Sequence, residues 1–171
     1  MSHMACMFSS STFAHVSQDN RLHLWDIESR KEKKAYIDKN HLSHSFTAFA
    51  WNKAICSSSN AKENVKQLGN FVMGFNDGQL LVWDLTRGVI SKTIKLKDNH
   101  ANVPSSIVFS QDQSSIFVSS NQIYVLQYSL ASGELVKSIK AGKKSVTKMC
   151  INPKVDVLAI SRYCIGLMND E

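Results

Sequence analysis

Two short runs in this chain end in the same residue pair, and a turn aspartate precedes each at the same distance. Arg21-Leu22-His23-Leu24 leads into Trp25-Asp26, and Gln79-Leu80-Leu81-Val82 leads into Trp83-Asp84. Asp19, in the turn Ser17-Gln18-Asp19-Asn20, and Asp77, in Phe75-Asn76-Asp77-Gly78, each stand six positions before the tryptophan. The first run alternates polar and apolar residues and the second is apolar almost throughout, both patterns of β-strands. A recurring constellation constrains the fold more than a single motif does. Repeated units bury their apolar faces by stacking on one another.

The same rhythm continues along the 171 residues. Apolar period-two stretches, crowded with β-branched residues, exclude a helical reading. In the first unit strands are expected at Met7 to Ser9, Phe13 to Ser17, Leu22 to Ile27 and Lys34 to Ile37, with no structure placed on Met1 to Met4. The spacing predicts units at 6–38, 44–96, 103–139 and 145–171, with a polar loop insertion at 52–68. Trp25 to Trp83 is 58 positions, Trp83 to Tyr128 is 45 and Tyr128 to Met168 is 40; the first interval is long by about the insertion. A period of about 40–45 residues is that of a four-stranded propeller blade. The expected fold is therefore an all-β, partial β-propeller of about three and a half blades. In the fourth blade, Ile165 to Met168 would be the third strand. Such a ring does not close unless the remainder is supplied elsewhere, so self-association through an open edge is expected.

Composition excludes several function classes. Hydrophobic residues make up 43% of the chain, as in a globular protein. No apolar stretch approaches the roughly 18 residues of a membrane helix. The amino terminus shows no basic region followed by an apolar run, so no secretory signal is expected. Cys6, Cys56, Cys150 and Cys164 form no Cys-x-x-Cys pair and are expected to be reduced, structural thiols. His3, His15, His23, His41, His44 and His100 have no metal-ligand spacing. There is no Gly-rich phosphate loop, no Gly-x-Ser-x-Gly and no His-Glu-x-x-His. No enzymatic activity, metal, cofactor or small-molecule substrate is expected.

The net charge of +6 permits anionic partners without requiring them. Arg30-Lys31-Glu32-Lys33-Lys34 lies on a turn and outer strand, where lysines blunt an edge against pairing. Lys137, Lys140, Lys143, Lys144 and Lys148 gather at the junction of the third and fourth blades. Those five are candidates for phosphate contacts with RNA, which position a strand without reading it. No aromatic-rich stacking platform accompanies them in the sequence.

The Trp-Asp pairs, the turn aspartates and the spacing resemble the WD-repeat β-propeller family over nearly the whole chain. That resemblance implies a hydrogen-bonded relay of His, Ser or Thr, Asp and Trp within each blade. Asp19 and Trp25 match its turn Asp and Trp in the first blade. His41, Asp77 and Trp83 match three of its four members in the second, with Met73 at the Ser or Thr position. In the third blade His100 lies 28 positions before Tyr128, which replaces the Trp, and Gln122 stands at the Asp position. Met168 replaces the fourth Trp. A buried Asp is costly unless donors surround it, and His and Trp N–H groups supply them, so the relay reads as structural.

A finer likeness lies in Ile37-Asp38-Lys39-Asn40-His41-Leu42-Ser43, then Thr47-Ala48-Phe49-Ala50-Trp51 and the polar insertion, with Ser145-Val146 and Cys150-Ile151-Asn152-Pro153 later. This order is similar to the first propeller of nucleolar WD-repeat subunits of the small-subunit processome. Members of that group have a complete propeller and a C-terminal helical domain. The resemblance implies a nuclear, nucleolar, non-enzymatic scaffold in ribosome biogenesis. It would act in pre-rRNA processing and support RNA polymerase I transcription. Its implied partners are other WD-repeat and helical subunits of a pre-ribosomal complex, with pre-rRNA reached through basic patches and no membrane. The alternative is a generic WD-repeat adaptor, such as a ubiquitin-ligase substrate receptor or a trafficking or signalling subunit.

Overall fold

The computed structural model describes residues 3–6, 12–39, 43–52, 69–96, 103–120, 122–152 and 157–162. The first sheet contains β1 (His3–Cys6), β2 (Thr12–Val16), β3 (Leu22–Asp26) and β4 (Lys31–Tyr36). The second contains β5 (Phe46–Trp51), β6 (Asn70–Phe75), β7 (Gln79–Asp84) and β8 (Val89–Lys95). The third contains β9 (Pro104–Phe109), β10 (Ser115–Ser120), β11 (Tyr124–Ser129) and β12 (Leu135–Lys140). The last is the pair β13 (Val146–Ile151) and β14 (Leu158–Arg162). In every sheet each strand pairs antiparallel with its neighbour in the chain. The described residues are all-β, and four-stranded meanders in succession are the form of blades in a partial β-propeller.

Burial explains the strand pattern. In β2, Thr12, Ala14 and Val16 are buried and alternate with half-buried Phe13 and His15. In β7, Leu80 to Trp83 are buried in succession, as expected of a strand covered on both faces. The outer strands β4 and β12 are exposed along almost their whole length. Strand β4 begins at Lys31, three residues before the expected start. Its backbone pairs with Asp26 to Leu22 without needing apolar side chains. The inner strand also departs from expectation. It lies at His3–Cys6, whereas Met7 to Ser9 fall outside the described residues. Ile165 to Met168 and the insertion from Lys53 to Leu68 fall outside them too.

The chain divides into two compact units, Met1–Val103 and Pro104–Glu171. The core of the first joins its two blades through Leu22, Leu24, Tyr36, Phe71, Leu81 and Trp83. Phe46, Phe49 and Phe71 form a ladder of stacked rings, each 5.8 Å from the next, with Trp51 edge-on to Phe71. The Tyr36 hydroxyl donates to the Leu85 carbonyl at 2.6 Å, and its ring meets Trp83 edge-on. The second unit packs Val125, Val146 and Met149 against Val108, Phe117, Leu158 and Ile160.

Candidate functional site

The Trp-Asp pair turns out to be a hairpin device. Asp26 Oδ1 accepts from the Glu28 and Ser29 N–H groups at 2.9 and 3.0 Å. Asp84 Oδ1 accepts from Thr86 and Arg87 in the same manner, both at 3.0 Å. In the third blade Ser129 takes the aspartate's place, its Oγ accepting from the Ser132 N–H at 3.3 Å. Four residues after each cap the backbone turns left-handed, at Arg30 (φ 55°), Gly88 (φ 74°) and Gly133 (φ 77°). Blade three therefore keeps the geometry that its sequence disguises. Lys33 and then the Ser29 N–H hold the Asp26 carboxyl at about 2, below the ordinary 3.8. The tryptophans differ from each other: Trp83 is buried, whereas Trp25 is 37% exposed.

The residues that the resemblance assigns to a relay are placed as follows. Asp19 accepts from the Ser17 hydroxyl and pairs with Arg21 Nε at 2.8 Å. These partners, Ser17 first, lower its carboxyl below the usual value. Asp77 accepts from the Gln79 N–H at 3.1 Å, and its second oxygen lies 3.3 Å from His44 Nδ1. Trp83 Nε1 is buried with no hydrogen-bond partner among the described residues, so the relay bond to this indole is not seen there. His41 and His100 lie outside the described residues. Sequence reasoning missed His44, which also meets the Phe75 ring at 6.0 Å.

One arrangement superficially matches a nucleophile, base and acid. His23 Nε2 lies 3.2 Å from Ser17 Oγ, and His23 Nδ1 lies 2.8 Å from Glu32 Oε1. The Ser17 hydroxyl, however, has one proton, and Asp19 and the Arg21 carbonyl both compete for it. A histidine acts as general base only on a hydroxyl that donates to it, so this cluster ties β3 to its neighbours rather than activating serine. A cavity of about 480 Å³ borders the β9–β10 turn, touching Asp112, Ser114, Phe117 and Gln127. Its carboxylate is already engaged: Ser110 and Ser114 hydroxyls donate to Asp112 at 2.5 and 2.6 Å and hold it at about 2. Among the described residues no three His, Cys, Asp or Glu side chains come together to hold a metal.

The outer strands β4 and β12 carry the longest exposed runs among the described strands. On β4, Lys33 pairs with Asp26, and Lys34 Nζ sits 4.9 Å above the Tyr36 ring. Lys137 and Lys140 lie exposed on β12, Lys143 and Lys144 on the turn that follows, and Lys148 on β13. No carboxylate among the described residues makes an ion pair with any of these five. Exposed Tyr124 stands opposite Lys140 in the sheet, and exposed Leu135 and Val136 open β12. Sequence reasoning passed over these three apolar surfaces. The blade order already made Leu135 to Ile139 the outer strand, but the exposure of the individual side chains is known only from the structure.

No family model matches the chain. Among curated proteins it is similar to the human WD repeat-containing protein 43, with 22% identity over 175 residues. The match covers 95% of this chain but 26% of that protein, so the chain spans about a quarter of its relative's length. This likeness supports a WD-repeat family for the chain, in agreement with the bladed sheets.

Proposed function

We propose that the chain is a non-enzymatic WD-repeat scaffold of the small-subunit processome, acting in the nucleolus in early pre-rRNA processing and in support of RNA polymerase I transcription. The observation that carries the scaffold reading is the repeated blade with capped hairpins and exposed outer strands. Such strands and turns offer several separate docking surfaces, and linked weak contacts add to a stable assembly. The polar groups that could suggest catalysis are instead engaged with one another, at Ser17, Asp19 and Asp112. The assignment to ribosome biogenesis rests on the order of His41-Leu42-Ser43, Ala50-Trp51 and the insertion.

The test is affinity purification of the tagged natural protein from nuclear extract, with and without RNase. Recovery of processome subunits that survives RNase supports the proposal. Recovery of cullin-type or vesicle-coat subunits without pre-ribosomal RNA refutes the assignment and leaves the generic adaptor.

A further inference from the structure

We propose that the free edge of β12 docks an extended acidic peptide segment of a protein partner, which adds as a further strand to the third blade. Strand β12 ends its sheet, with β11 as its one partner among the described strands. The Ala141 N–H donates to the Ile123 carbonyl at 2.7 Å. Antiparallel pairs alternate between bonded and non-bonded, so this bond sets the phase of the whole ladder. Counting back through Tyr124↔Lys140, Val125↔Ile139, Leu126↔Ser138 and Gln127↔Lys137, the backbones of Ile139 and Lys137 face β11. Those of Ser138 and Lys140 face outward, with N–H and C=O groups available to an added strand.

Natural sheets protect such edges, and β4 shows how. There the charged run Lys31-Glu32-Lys33-Lys34 is partly tied down through Asp26 and Tyr36. Strand β12 has apolar exposure as well: Leu135 is 36% and Val136 59% exposed. Around this edge Lys137, Lys140, Lys143 and Lys144 have no ion-pair partner among the described residues. A bare ladder, an apolar pair and one sign of charge together fit strand addition by an acidic segment. A nucleic acid uses the charge but neither the ladder nor Leu135 and Val136, so the protein partner uses more of what is present. This inference does not depend on which assembly the chain joins.

The test measures binding of a short capped peptide of alternating Glu and Val to the full chain by fluorescence anisotropy. Its Lys-for-Glu counterpart and oligouridylate serve as comparisons, and amide hydrogen exchange reads the backbone. Saturable binding of the acidic peptide alone, with slowed exchange at Ser138 and Lys140, is the expected result. Ser138→Pro removes an outward N–H at a position where an edge strand tolerates proline. Lys140→Glu reverses one charge and keeps every backbone group. Each is expected to weaken binding roughly tenfold, as for one lost hydrogen bond or charge contact. Should Ser138→Pro fail to fold, Lys140→Glu and the exchange data decide. Oligouridylate binding in place of the peptide, peptide binding without protection at Ser138 and Lys140, or no binding at all would overturn the proposal.

Discussion

Asp26 and Arg30 belong to one hairpin and are held in opposite ways. Asp26 is well served, with two N–H donors and Lys33 on its carboxylate. Arg30 occupies a left-handed position that Gly88 and Gly133 fill in the next two blades. A non-glycine residue there costs on the order of 1 kcal/mol. Arg30→Gly is accordingly expected to raise stability by about 1 kcal/mol in urea unfolding; a loss would mean that the Arg30 side chain contributes more than its backbone costs. A second prediction concerns acid. Asp26 and Asp112 sit at about 2 in the folded chain, against an ordinary 3.8. Between those values the unfolded chain binds more protons, so the stability they contribute is complete above about pH 4 and is lost as pH falls toward 2. Asp26→Asn, which keeps a carbonyl acceptor but not the charge, is expected to flatten part of that decline in melts taken across the range. At this scale much was legible: the Trp-Asp spacing located both hairpins. Ser129 was not, because a hydroxyl in a turn has no distinctive signature until the Ser132 N–H points at it.

Strands differ in what holds them. The ladder Phe46, Phe49 and Phe71 joins β5 to β6, and Phe71, stacked on Phe49 at its inner end, is fully buried. Phe71→Ala is expected to cost about 3–5 kcal/mol, since the stacked rings cannot collapse into the space. Equilibrium unfolding checks this, and a cost below about 1 kcal/mol would mean that the ladder repacks. At the base of the insertion, buried Asn52 accepts the Asn70 N–H at 2.7 Å and donates its own N–H to the Asn70 carbonyl at 3.0 Å. Alternation found the strands because half-buried sheets impose a period of two. It placed β4 too late, because a charged outer strand is held by its backbone and leaves little apolar pattern.

Each unit of the molecule has a core of its own, one centred on Phe71 and Trp83 and the other on Val125 and Val146. In stacked repeats stability is largely local to a unit and its neighbours. Val125→Ala is therefore expected to lower hydrogen-exchange protection across β9 to β14 more than across β2 to β8. Equal loss in both units would show a single cooperative structure. The docking edge proposed on β12 belongs to the second unit, where Ser105 binds the Val146 carbonyl at 3.1 Å and Ser106 accepts the Met149 N–H at 3.1 Å. These serines join the third blade to β13 and carried no signal in the sequence.

The sequence by itself determined the all-β class, the blade period and the hairpin positions. These follow from short-range rules: alternation, turn chemistry and the spacing of repeated residues. Tertiary structure decided which aspartate meets which partner, that Trp83 is buried while Trp25 is not, and which strand edge stays open. Those outcomes depend on groups far apart in the chain, such as Tyr36 against Leu85 or Ser105 against Val146. Local pattern says that a strand has a buried face, whereas only packing selects the neighbour that buries it.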